Sequence, residues 1–242
     1  MLSKNQIKYI TQLKQKKYRE QQNVFIAEGI KVIQELINAP LELVHLYSTK
    51  EWQTKLPATL FTMISEAELK KISSLTTPNQ CLALFKMKEI KTLKNKGLKL
   101  ALDAVRDPGN LGTIIRLCDW FGIEDLICSK ETVDVYNPKV VQATMGSLTR
   151  VNVFYTDLEE YLKRSESPVF GTFMEGENIY KQSLPNEGII VMGNEANGIS
   201  KEIEDLVTRK VSIPRFGDLQ QTESLNVATA VAIILSEFKR GN

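Results

Sequence analysis

A single histidine and three cysteines among 242 residues leave several common chemistries without their usual reagents. His45 lies inside Leu43–Val44–His45–Leu46–Tyr47, an apolar run that reads as a strand. With no second histidine, a Ser–His triad and histidine-based metal hydrolysis are both set aside. Cys81, Cys118 and Cys128 are odd in number and show no C-x-x-C spacing, so neither a zinc site nor a disulfide framework is expected. They read as buried, reduced thiols. No segment approaches the roughly 20 continuous apolar residues of a membrane helix, and no membrane partner is expected. The basic start is not followed by an apolar stretch, so a signal peptide is not expected and the cytoplasm is the expected compartment. Neither G-x-G-x-x-G after a strand nor a Walker A lysine loop occurs, which disfavours ordinary dinucleotide and NTPase sites. Repeats and low-complexity tracts do not occur either.

Apolar content of 43% and charged content of 25% suit a globular chain with one large domain or two modest ones. Charge is placed unevenly. Residues 1–100 carry 17 Lys or Arg against 8 Asp or Glu, and the remainder carries 14 against 21. A basic half joined to an acidic half points to a front that faces nucleic acid. A solvated lysine-rich surface explains the charge alone equally well.

Residues 4–22 read as one basic helix, with Ile7, Ile10 and Leu13 on one face. Lys14, Lys16, Lys17 and Arg19 on this helix are the candidate RNA contacts. A short strand at Val24–Ala27 follows, then a helix through Val32 to Ile37 that Pro40 stops. Further strands fall at 43–47, 62–64 and 81–85, and Ser65 with Glu68 makes a capping-box pattern. This is a compact α/β unit. The Lys-rich stretch 89–97 reads as a linker, which divides the chain into 1–88, 89–97 and 98–242. Beyond it, apolar runs at 98–105, 123–128, 151–155, 169–174, 188–193 and 210–213 alternate with helical segments. Such runs predict an α/β domain whose parallel sheet is covered on both faces.

Three loops carry more polar residues than a connection needs. The first, Arg106–Asp107–Pro108–Gly109–Asn110–Leu111–Gly112, is a turn leading into a helix that bears Asn110 and Arg116 near its start. A helix N-terminus favours anions, so a phosphate could dock beside Arg116. The second, Gly193–Asn194–Glu195–Ala196–Asn197–Gly198, follows the run 189–192 at the strand end where open α/β sheets bind ligands. The third runs from Ile213–Pro214 to Ser224–Leu225–Asn226, just before an apolar helix. A plain strand-to-helix turn explains the second loop equally well, but leaves the polar load of the first unexplained.

In order and spacing the three loops resemble the signature motifs of the SpoU/TrmH family of RNA ribose methyltransferases, within the SPOUT superfamily. The resemblance is carried by Asp107, Pro108, Asn110, Leu111, Gly112 and Arg116, then Gly193, Glu195 and Gly198, then Ile213, Pro214, Ser224, Leu225 and Asn226. Tyr136–Asn137–Pro138–Lys139–Val140 and Gly146–Ser147 are similar to the family's connecting segment. Phe25, Glu28 and Gly29 are similar to the opening motif of the small RNA-binding domain that precedes the catalytic domain in many members. The usual glycine after its Thr-Pro turn is replaced here by Asn79–Gln80.

The resemblance implies a deep C-terminal trefoil knot and a homodimer whose active site draws on both subunits. It implies S-adenosylmethionine as cofactor, held among Thr172, Gly193, Ile213, Pro214 and Leu225, with no metal. It places catalytic work on Asn110, Arg116, Glu195, Ser224 and Asn226. The implied reaction methylates a ribose 2'-hydroxyl in RNA, in rRNA rather than tRNA. The rival readings are a catalytically silent RNA-binding protein on the same scaffold and a methyltransferase acting on protein or a small molecule.

Overall fold

The structure is a computed structural model that describes residues 1–52, 56–89, 92–94, 96–217 and 224–240. Two compact units emerge: Met1–Glu89 with Asp134–Thr149, and Ile90–Val133 with Arg150–Asn242.

The front unit is built on a four-stranded sheet in the order β1-β4-β2-β3, from β1 (Val24–Glu28), β2 (Leu43–Ser48), β3 (Phe61–Met63) and β4 (Cys81–Lys86). The expected single helix over 4–22 is two helices, α1 (Lys4–Gln12) and α2 (Lys16–Gln22). The break has a tertiary cause. Arg19 donates to the carbonyls of Leu13 and Lys14 at 2.9 and 2.8 Å, so a guanidinium supplies donors where α1 ends. Its other nitrogen pairs with Asp134. Helix α3 (Ile30–Asn38) buries Val32, Ile33 and Leu36. Helix α4 (Glu66–Ile72) starts on the Ser65–Glu68 capping box. Residues 134–149, with α6 (Pro138–Thr144), belong to this unit: Val141 and Leu148 join the core of Phe25, Leu36 and Phe85, and the Tyr136 ring lies tilted against Phe25, its centroid 4.8 Å away. His45 is a strand residue, hydrogen-bonded to Thr62 at 2.9 Å, and burial lowers its pKa from the ordinary 6.5.

The second unit is a six-stranded sheet in the order β10-β8-β9-β5-β6-β7, parallel at every pairing. Its strands are β5 (Leu98–Leu102), β6 (Asp125–Ser129), β7 (Asn152–Thr156), β8 (Val169–Asn178), β9 (Gly188–Met192) and β10 (Arg209–Ser212). The buried runs of β5, β6 and β9 face helices on both sides, as continuous apolar strands require. Ala101, Ile127, Ile189 and Val191 pack with Leu158 and Leu162 of α7 (Leu158–Lys163) and Ile203 of α8 (Lys201–Glu204). The opposite face receives α9 (Val227–Lys239), whose Phe238 meets Phe170 edge-on at 5.1 Å. Helix α5 (Pro108–Phe121) packs along α9. From β5 the chain lays β6 and β7 to one side, and β9, β8 and β10 lie on the other. The β5–β9 junction is therefore the switch point, where loops at the carboxyl ends diverge and leave a crevice. Of the 89–97 stretch, Glu89 belongs to the front unit, and Lys94 holds to this one, its N–H donating to Asp125 at 2.8 Å; Ile90, Lys91 and Asn95 lie outside the described residues.

Candidate active site

Two strand ends make the floor of the site. Asp103, directly after β5, donates its N–H to the Met192 carbonyl at 2.9 Å and accepts from the Ser200 N–H at 2.7 Å. Asn194 reaches back from the β9 loop to donate to the Ala104 carbonyl at 2.6 Å, where Ala104 holds a left-handed φ of 57°. The β9 loop closes on itself through paired Asn194–Gly198 backbone bonds of 2.8 and 2.9 Å. Gly193 is required by this closure. A Cβ there would meet the Gly198 carbonyl carbon at 2.1 Å and the Ile199 nitrogen at 2.3 Å, both backbone atoms that cannot yield.

On this floor three side chains join. Asp107 caps α5 by accepting from the Asn110 N–H at 2.8 Å, and Pro108 presets the first helical turn. The cap turns the Asn110 side chain toward the other two loops. Asn110 donates to Glu195 at 2.9 Å and accepts from Asn226 at 2.9 Å. Asn226 is itself the N-cap of α9, its amide oxygen accepting from Ala228 and Thr229 at 3.0 and 3.2 Å. Residues 85 and 116 positions away from Asn110 thus meet at one amide.

The remaining expected residues divide. Thr172, Gly193 and Ile213–Pro214 sit at or just past the ends of pairing on the adjacent strands β8, β9 and β10. Thr172 lies where β8 leaves its register with β10, and its hydroxyl donates to Val191 at 3.1 Å. Leu225 is 48% exposed beside Asn226, an apolar side chain at the mouth of a polar site. Ser224 is exposed next to it, and residues 218–223 of the third loop lie outside the described residues. Arg116 corrects the sequence reading. It sits in the middle of α5 rather than near its start, six residues past Asn110, so about 9 Å along the axis and roughly 120° around it. It is exposed, and within one chain it stands apart from the Asn110 cluster.

The SpoU rRNA Methylase family matches residues 97–236, more than half of the chain and all three loops. The chain belongs to this family. In its front half, residues 4–83 match the MRM3-like substrate binding domain. Among SpoU relatives, the 23S rRNA (guanosine(2553)-2'-O)-methyltransferase RlmP of Bacillus subtilis is 32% identical, aligned over 98% of this chain and 97% of its own. A solved TrmH-family RNA methyltransferase of Porphyromonas gingivalis superposes with a TM-score of 0.86 at 38% identity, covering 100% of both chains. An AdoMet-bound rRNA methyltransferase of Sinorhizobium meliloti superposes with a TM-score of 0.86 at 28% identity, covering 100% of this chain and 96% of that one.

Asp103 and Asn194, which brace the strand ends beneath the cluster, were given no role in the sequence reading. The signal for Asp103 was present, since an aspartate closing the apolar run 98–105 needs a partner. The candidate RNA contacts fare differently. Arg19 is 2% exposed and committed to Leu13, Lys14 and Asp134, which corrects its expected place on an RNA-facing surface. Lys14 donates to the Ser73 carbonyl at 2.6 Å, just past the end of α4, and Lys16 pairs with Glu20 at 3.7 Å. Lys17 is exposed on α2. The cysteines are all buried, and burial pushes the Cys81 thiol up to about 12 and raises Cys118 and Cys128 as well, which keeps them unreactive.

Proposed function

We propose that the protein transfers a methyl group from S-adenosylmethionine to a ribose 2'-hydroxyl in RNA, in rRNA rather than tRNA. The observation that carries this reading is the meeting of Asn110, Glu195 and Asn226 at the switch point of a SpoU-family sheet. RlmP, similar along nearly the whole chain, is a 23S rRNA 2'-O-methyltransferase, and the S. meliloti neighbour binds AdoMet. The donor set suits such a cofactor. Leu225, half exposed, and the half-buried Ile213–Pro214 offer an apolar lip for an adenine, and the Glu195 carboxylate offers negative charge to a cation. When bound, the cofactor supplies an electrophilic methyl carbon on a sulfonium, which needs no Lewis acid.

The chain's own residues then have three tasks. Thr172, Gly193, Ile213, Pro214 and Leu225 hold the cofactor, largely through backbone groups at the strand ends. Arg116 grips an RNA phosphate and stabilises the negative charge that grows on the ribose oxygen. It is not the base, because a guanidinium stays protonated in a protein and has no lone pair to offer a proton. Glu195 is the carboxylate in the cluster able to take the hydroxyl proton. Asn110 fixes its orientation, and Ser224 and Asn226 shape the cofactor side. The functional division follows 1–88 for RNA binding, 89–97 as linker and 98–242 for catalysis. The C-terminal domain carries the deep trefoil knot that the family resemblance implies, and the enzyme works in the cytoplasm.

A homodimer completes the site. Arg116 is exposed six residues past Asn110 on α5, about 9 Å along the axis and roughly 120° around it, an arrangement that suits service to the cluster of a second copy. The decisive experiment is Arg116→Ala. Methyl transfer to rRNA should fall by at least ~100-fold, the scale of one lost charge-stabilising donor, while calorimetry still registers S-adenosylmethionine binding. Undiminished turnover would reject the role.

A further inference from the structure

Of the four cations expected to meet RNA, Arg19 and Lys14 are held within the front unit by Asp134 and the Ser73 carbonyl, while Lys16 and Lys17 stay exposed on α2. The unit has a better-built polar surface elsewhere. A groove of about 350 Å³ is lined by Thr49 and Lys50 after β2, Glu66, Leu69 and Lys70 of α4, and Pro78 and Gln80 of the loop before β4. Leu69 is buried and makes the floor, while Lys50 and Lys70 are exposed on the rims.

Gln80 is the unusual member. Its φ is 50°, in the left-handed region that glycine occupies without strain and residues bearing a Cβ seldom enter. The loop is fixed in that state, because the Gln80 carbonyl accepts from both the backbone N–H and the hydroxyl of Thr49, at 2.9 and 3.3 Å. A glycine would satisfy the backbone at less cost. A side chain placed at such a backbone position and lining a groove points to work for that side chain. Its amide offers two donors and an acceptor, and Thr49 adds a hydroxyl. Flanked by two ammonium groups, this set matches phosphodiester oxygens together with a base edge or a 2'-hydroxyl. Glu66, the carboxylate in the lining, faces no phosphate in such a pose and accepts from a base amino or ribose hydroxyl group.

We propose that this groove is an RNA-contact site of the front unit, with Lys50 and Lys70 on phosphates and Gln80 on a base edge or 2'-hydroxyl. The inference rests on the RNA-methyltransferase reading above. The test uses the full chain and a 23S rRNA transcript made in vitro, with binding measured across a potassium chloride series. The double variant Lys50→Gln, Lys70→Gln should lower the slope of log K against log salt by about 1.5, the release expected for two phosphate contacts. A Lys4→Gln, Lys8→Gln control on α1 should leave the slope unchanged. Gln80→Gly should raise the melting temperature by relieving the backbone, yet weaken RNA binding several-fold. An unchanged slope in the lysine variant, or full affinity in a stabilised Gln80→Gly protein, overturns the groove and leaves the enzyme assignment standing. If the unaltered protein ignores the transcript while still binding S-adenosylmethionine, both readings fall.

Discussion

Asn226 does two jobs with one amide: its oxygen caps α9, and its nitrogen holds Asn110. The jobs separate by substitution. Asn226→Ser keeps a capping oxygen, so stability should stay within about 0.5 kcal/mol, whereas the link to Asn110 is cut. Thermal melts should barely move and methyl transfer should drop at least tenfold. A variant with full activity would show that the amide contact is ornamental. The polar members of the cluster were legible in the sequence through the likeness of their three loops, in order and spacing, to the family's motifs. Their contact was not, since hydrogen bonds across 85 and 116 residues leave no trace in local pattern. Gly193 carries a second demand that the sequence did not show: the backbone of its own loop leaves no room for a Cβ there.

At the scale of elements, periodicity located the strands and missed what ends them. The run 98–105 stops pairing at Leu102 because Asp103 turns to bind Ser200. The basic stretch 4–22 breaks because Arg19, one turn into α2, satisfies carbonyls at the end of α1 and pairs with Asp134. No local rule supplies a partner 115 residues away. The pair also sets a stability expectation. Arg19 is 2% exposed and Asp134 16%, and removing one member of so buried a pair strands the other at a cost of about 3–5 kcal/mol. Arg19→Ala should therefore lower the urea midpoint sharply. A loss below about 1 kcal/mol, the worth of a surface pair, would mean that water reaches Asp134 freely.

For the whole molecule, self-association is the property with most at stake. Trp120 is 84% exposed, four residues beyond Arg116 on the same side of α5. Helix α9, which packs along α5, is rich in apolar residues, and its Ile233 is half-buried. Such a surface suits a second copy of the chain. Trp120→Glu should sediment as a single chain and lose methyl transfer while retaining its fold by circular dichroism. Dimers of undiminished affinity would move the contact to another face. The six-stranded parallel sheet was legible in outline from its alternating apolar runs, but strand order and the placement of 134–149 depend on contacts far apart in the chain.

That placement has a practical bearing. The stretch 134–149 lies within the span matched to the SpoU family yet is built into the front unit, so the polypeptide passes from one unit to the other three times. A fragment begun at position 97 would carry Tyr136, Val141 and Leu148 without the Phe25 and Phe85 rings that shelter them. Swapping front halves between relatives should accordingly yield sticky, poorly behaved hybrids unless the sixteen-residue passenger is exchanged along with its host.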